Sequence, residues 1–169
     1  MDDRPCELTF DDVRVPVENL IGKEGDGFRM AQAWITNGRM RHGALGLGSM
    51  ERMLELGSSY AKQRVTFGKP LSDRQAIQWM LVDIYADIQM FRPFLYQTAH
   101  SYDLGKDIRW DSYICKYRGD RLGFEAADRC LQIHGGIGLT TDLPIEKFWR
   151  DLRSFMITEG PEEILKMAL

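Results

Sequence analysis

Long apolar runs are missing from this sequence. No stretch of its 169 residues approaches the ~18 consecutive apolar positions of a membrane-crossing helix, and no signal-peptide pattern opens it. Neither membrane nor secretion is expected; the expected location is cytoplasmic, with the mitochondrial matrix as the alternative. Cysteine is scarce. Cys6, Cys115 and Cys130 are odd in number and far apart, with no C-x-x-C. They argue against a disulfide framework and read as reduced thiols packed like small apolar residues. His42, His100 and His134 are equally dispersed, so no pair has the spacing of metal ligands. Charge of one sign is lacking too: a net charge of -3 gives no argument for nucleic acid or an anionic membrane as partner. There is no internal repeat and no low-complexity segment. What is present is ordinary globular material, 44% hydrophobic and 28% charged. A chain of this length buries roughly two thirds of its extended surface and forms one domain.

The first part differs from the rest. In "CELTFDDVRVPVENLIG", Leu8, Phe10, Val13 and Val15 suit a short strand leading into an extended connector, and Pro16 forbids a helix through it. A lone strand cannot satisfy its own backbone, so residues 1–24 read as the tail of a β-domain lying elsewhere, followed by a linker. Residues 25–169 read as a helical bundle. Met30, Trp34, Ile35, Leu45, Leu47, Met50, Met53, Leu54 and Tyr60 keep a 3/4 spacing that predicts one helix over about 27–64. Gly38, Gly43, Gly46 and Gly48 weaken it and point to close approach by a neighbour or a ligand. A second helix is expected from near Ser72, interrupted or adjusted at Pro93, with Gly105 capping it. A third, from about Asp107 to His134, carries Ile114, Tyr117, Leu122, Ala126, Cys130 and Ile133. A short helix from Pro144 to about Arg153 and a last one starting at Pro161 complete the set. The fold class is all-α, an up-and-down bundle preceded by a short extended segment.

Three stretches have the composition for chemistry. "QRVTFGKPLSDRQ" is a turn in which Gly68 takes positive φ and Pro70 fixes the exit. The same turn gathers Arg64, Thr66, Phe67 and Gln75, a set suited to a phosphate and a ring system. "QIHGGIGL" follows a helix, so it is not the dinucleotide fingerprint; Gly135 is a helix cap, and Gly136 beside it allows a ligand near the backbone. In "ITEGPEEI", Pro161, Glu162 and Glu163 are standard helix-start residues. Glu159 is not needed for that purpose. It is either a plain acid beside a helix or a base.

Taken in order, "RVTFGKPL…RQAI", "QIHGGIGL…LPIEKFWRD" and "ITEGPEEI" resemble the C-terminal part of the acyl-CoA dehydrogenase family, whose matching stretches read R-x-T-F-G-K, Q-x-x-G-G-x-G, a following R-D, and Y-E-G-T. "LTFDDVRVPVENLIGKEGDGF" is similar to that family's exit from its β-domain. The resemblance implies an FAD-dependent enzyme that desaturates an acyl-CoA thioester, removing the α-proton with a carboxylate and passing a β-hydride to the flavin. It implies a homodimer or homotetramer, with an electron-transfer flavoprotein as electron acceptor. Glu159 would be the base, and Arg39 and Gly160 would lie on the substrate side. Arg64, Thr66 and Phe67 would serve the FAD of a neighbouring subunit, with Gln75, Gln132, Gly135 and Gly136 toward its adenosine end. A glutamate shut away beside an apolar acyl chain is a stronger base than one in water. Some members carry the base immediately before the arginine of the first long helix; here that position is Gly38, which favours Glu159. Thr158 and Pro161 depart from the usual tyrosine and threonine. Rival readings are an acyl-CoA oxidase or nitroalkane-oxidase-like enzyme on the same scaffold, and a non-catalytic oligomerisation module. Without a β-domain the chain is expected to hold FAD weakly and to have no turnover.

Overall fold

The computed structural model describes residues 6–169. Five helices follow one another: α1 (Gly27–Gln63), α2 (Gln75–Asp103), α3 (Arg109–His134), α4 (Ile145–Phe155) and α5 (Glu162–Ala168). The three long ones pack on one another, and α4 and α5 pack against α3. Only one β element is present among the described residues, the two-residue strands β1 (Val65–Thr66) and β2 (Lys69–Pro70), paired antiparallel. Phe67 and Gly68 between them have φ of 49° and 76°, the left-handed pair that a two-residue hairpin turn requires.

The stops are where the residue chemistry puts them. Gly105 takes φ 70° after α2, and Gly135 takes φ 61° after α3. The Asp107 carboxylate accepts the Arg109 N–H at 2.9 Å and caps the start of α3. Pro93 leaves α2 unbroken: the carbonyl it cannot pair belongs to Gln89, on the exposed side. Ser72 lies in a single 3-10 turn, and α2 itself begins three residues later because Arg74 is extended, with φ -94° and ψ 121°.

The strand expected at Leu8–Val15 does not form. No strand among the described residues pairs with it, and Leu8, Phe10, Val13 and Val15 are all exposed. Cys6 is exposed as well, whereas Cys115 and Cys130 are buried free thiols whose burial pushes them up to about 11 and about 12. Both are inert packing groups at neutral pH.

The core joins Met50 and Met53 of α1, Ile84 and Ile88 of α2, Leu122 and Ala126 of α3 and Leu152 of α4. Helices α1 and α3 meet through glycine. A Cβ on Gly46 would run into the Gly119 carbonyl, and one on Gly43 would sit 3.0 Å from the Cys115 carbonyl oxygen. On α3, Ile114 and Tyr117 are only half-buried, and the fully buried positions beside them are Lys116 and Asp120. On α1, Leu45 and Trp34 point outward, against the expectation from spacing.

The last helix is anchored by charge. Arg121 donates from Nε and Nη2 to Glu162 Oε2, at 3.1 and 2.7 Å, and Lys166 pairs with the other oxygen. Partial burial works to raise the Glu162 carboxyl, but the hydrogen bonds from Lys166 and Arg121 outweigh it and hold the group below its ordinary value. A carboxyl depressed in the folded state stabilises above its unfolded pKa, and that stability is lost as pH falls through the folded value. The thermal midpoint should therefore fall on acidification below about pH 4.5, and Glu162→Gln should flatten that part of the midpoint–pH curve. Equal acid slopes in the two proteins would refute this.

Candidate active site

Glu159 occupies a left-handed residue, φ 53°, in the turn between α4 and α5. For a non-glycine side chain this conformation is strained, and it persists only when the surroundings hold it. Two side chains do so. Arg39 Nε donates to the Glu159 carbonyl at 3.2 Å, and its guanidinium lies 4.5 Å over the Tyr113 ring. Lys116 Nζ donates to the carbonyls of Phe155 and Gly160, both at 2.8 Å, and so ties together the two ends of the turn. Gly160, at φ 108°, gives the chain its exit; a Cβ there would meet Arg39 Nη2 at 3.4 Å.

The carboxylate so held is 22% exposed and lines a cleft of about 450 Å³ with Gly38, Arg41, His42, Ala44 and Leu45. Its Oε2 is buried and has no hydrogen-bond partner among the described residues. Its Oε1 faces His42 Nε2 at 3.8 Å, beyond hydrogen-bond range. Behind it, His42 Nδ1 lies 3.2 Å from Asp120 Oδ1, and Asp120 Oδ2 lies 3.2 Å from Lys116 Nζ. Both Asp120 and Lys116 are 0% exposed. Burial lowers the Lys116 pKa from its ordinary value, and Asp120 works against that shift. A buried charge pair of this kind persists only when its remaining valences are met, as the two carbonyls do for Lys116.

Gly38 explains itself here. A Cβ at that position would collide with the Glu159 carboxylate. Positions 38 and 159 therefore aim at one point in space, and the helix keeps a glycine where the carboxylate needs room.

The structure thus brings Glu159, Arg39 and Gly160 together. The remaining candidates lie elsewhere. Arg64, Phe67 and Gln75 are exposed at the hairpin turn with Thr66 half-buried beside them, and Phe67 is 99% exposed. Gln132, Gly135 and Gly136 are exposed at the end of α3. Tyr60 and His134 stack at 4.3 Å, which places both groups at the same end of the bundle. That end is far from Glu159: from Gly38 to Tyr60 is about 33 Å along α1 at 1.5 Å per residue. A Cβ on Gly135 or Gly136 would meet nothing within 4 Å, so a ligand has room at the backbone there. An exposed guanidinium, ring and amides beside open backbone form a donor set that fits a nucleotide-like cofactor.

Residues 25–169 match the family model for the acyl-CoA dehydrogenase C-terminal domain. The chain belongs to the acyl-CoA dehydrogenase family. It is similar to the acryloyl-CoA reductase (NADH) of Anaerotignum propionicum, 36% identical over 164 residues, which cover 97% of this chain and 42% of that protein. The butyryl-CoA dehydrogenase of Megasphaera elsdenii shares the fold with a TM-score of 0.87 at 35% identity, over 94% of this chain and 41% of that one. A chain from the structure of the electron transferring flavoprotein of Acidaminococcus fermentans matches with a TM-score of 0.88 at 34% identity, over 94% and 42%. The chain spans about two fifths of the length of these relatives. Among its described residues no helix is long and apolar enough to cross a membrane.

Sequence reasoning missed His42, Lys116 and Asp120. A signal was available: Lys116 and Asp120 are four apart on α3, interleaved with Cys115, Gly119 and Gly123. Two opposite charges set in a stripe of small residues mark a buried pair, not a solvated face.

Proposed function

We propose that this chain is the C-terminal helical part of an FAD-dependent acyl-CoA dehydrogenase, and that Glu159 is its base. The observation that carries the reading is the Glu159 carboxylate itself: one oxygen buried without a partner, at a strained residue, in the mouth of a largely apolar cleft. A buried acceptor with nothing to accept costs free energy and is retained where a ligand supplies the proton. The substrate's α-carbon would lie against Glu159, which takes the α-proton. FAD, when bound, supplies the acceptor for the β-hydride. The chain's own contribution is orientation. Arg39 and Lys116 fix the turn, Gly38 leaves room for the carboxylate, and Ala44 and Leu45 supply an apolar wall for the acyl chain. The relation to an acryloyl-CoA reductase fits the same assignment, because the reverse reaction returns a proton to the same carbon.

Arg64, Thr66, Phe67, Gln75, Gln132, Gly135 and Gly136 are the residues proposed to hold FAD. Their distance from Glu159 supports a cofactor shared between copies, so that one chain's base and its flavin-binding end serve different sites of a homodimer or homotetramer. The outward stripe Trp79, Val82, Tyr85, Met90 and Tyr96 on α2 provides an apolar face for such an assembly. Electrons would leave to an electron-transfer flavoprotein.

The test is desaturation of acyl-CoA thioesters by the full-length polypeptide, read as enoyl-CoA by mass spectrometry with an artificial electron acceptor present. Formation of the enoyl product is expected, and none from any acyl-CoA would reject the proposal. In the same polypeptide Arg64→Ala should lower the flavin bound after purification severalfold, since one charge-assisted contact to phosphate contributes about 1.5 to 3 kcal/mol. Undiminished flavin would remove Arg64 from the site.

A further inference from the structure

The group behind Glu159 is larger than a base needs. A buried Asp120–Lys116 pair on α3 holds an imidazole on α1, and the other nitrogen of that imidazole faces Glu159 Oε1. We propose that His42 is the proton acceptor of second resort: it takes the proton from Glu159 after the α-carbon has lost it, with Asp120 balancing the imidazolium. The inference rests on Glu159 being the base.

Hydrogen-bond geometry carries it. Asp120 is a buried carboxylate already paired with Lys116, so its Oδ1 accepts and His42 Nδ1 carries the hydrogen. In a neutral imidazole that leaves Nε2 as a bare acceptor. An ionised Glu159 Oε1 is also an acceptor, and two acceptors do not bond, which accounts for their separation of 3.8 Å. Were Nε2 protonated beside a carboxylate, a charge-assisted contact of about 2.7 to 2.9 Å would be expected. Protonation of Glu159 supplies the missing hydrogen, and the pair can then close.

The steps balance. The α C–H bond breaks and an O–H bond forms on Glu159. That O–H then breaks, an N–H forms on His42 Nε2, and Asp120 faces the new positive charge. The hydride leaves the β-carbon for the acceptor already proposed. The charged groups that face His42 are Asp120 on α3, itself paired with Lys116, and Glu159 on the turn; Arg41 lines the same cleft, and α4 presents the Phe155 ring, edge-on at 5.3 Å. His42 lines the same cleft, so it keeps the proton while substrate fills the cleft and gives it up to water once product has left. The benefit is a Glu159 returned to its basic form without water entering the substrate's apolar wall.

Imidazole ¹⁵N spectra of the full-length polypeptide test this directly, with the His42 resonances assigned by their loss in His42→Asn. That variant keeps a donor to Asp120 and lacks the acceptor toward Glu159. The expected result is a neutral His42 with hydrogen on Nδ1 and a bare Nε2, and an Nε2 resonance that moves in Glu159→Gln, whose amide donates to it. His42→Asn should melt within about 2 °C of the parent, less than the shift from 1 kcal/mol, and lower turnover roughly 10²-fold, as for a positioned acid–base group. An Nε2–H tautomer, an Nε2 resonance indifferent to Glu159→Gln, or turnover in His42→Asn within twofold of the parent would each overturn the relay. Failure of the base assignment is read separately, as full desaturation by Glu159→Gln.

Discussion

Glu159→Gln in the full-length polypeptide should lower desaturation by about 10⁴-fold, the upper end of what a positioned base contributes. At 1.36 kcal/mol per decade this is roughly 5 kcal/mol of transition-state stabilisation. The change is nearly isosteric. The Arg39 and Lys116 contacts run to backbone carbonyls of the turn, not to the carboxylate, so the turn keeps its shape. Flavin content should be unchanged, because the residues proposed to hold it sit at the far end of α1. Loss of flavin together with activity would point to a structural role for Glu159, and unchanged activity would leave it a plain acid beside a helix.

The second large effect concerns the seam between α1 and α3. Gly46→Val adds a branched side chain whose Cβ alone would run into the Gly119 carbonyl, and backbone on both sides leaves no side chain able to move aside. Overpacking costs about 1 to 3 kcal/mol in general, and the upper figure applies where backbone must shift. For a chain of this size that lowers the thermal midpoint by roughly 6 to 12 °C. Gly48, two residues on, is the control, since a Cβ there meets nothing within 4 Å. Gly48→Ala should raise the midpoint by a few degrees, through the ~1 kcal/mol helix preference of alanine. Circular dichroism melts of the two variants decide the matter. Equal, small shifts would mean that the helices do not meet through glycine.

These glycines also show what the sequence could and could not convey. Their number in one helix announced close approach, and Gly38, Gly43 and Gly46 each have a neighbour that requires it. What approaches was not legible: a carboxylate at Gly38, another backbone at Gly43 and Gly46. The helices themselves were legible because 3/4 spacing, the stops at Gly105 and Gly135 and the start at Pro161 agree. The inner face of α3 was misread at Ile114 and Tyr117 because hydropathy passes over charged residues. Lys116 and Asp120 are buried by pairing with each other across one helical turn and with His42 and two carbonyls that are far away in sequence. At Leu8–Val15 the described residues hold no strand, and the partner expected for one was a β-domain lying elsewhere. The residues there favour β structure, but a strand needs a partner, and none of the described residues provides one.

Glu159 was singled out by a motif resemblance and by being superfluous to its helix start. The reasons it suits a base are tertiary: the left-handed backbone, the orphaned oxygen, the glycine opposite. A direct measurement of that role is hydrogen exchange at the substrate's α-carbon. With an acyl-CoA that the full-length polypeptide desaturates, in ²H₂O and with no electron acceptor, the parent should place deuterium at the α-position, and Glu159→Gln should place none above background. Deuterium entering at the parent's rate in Glu159→Gln would contradict the assignment, because some other group would then be removing the proton.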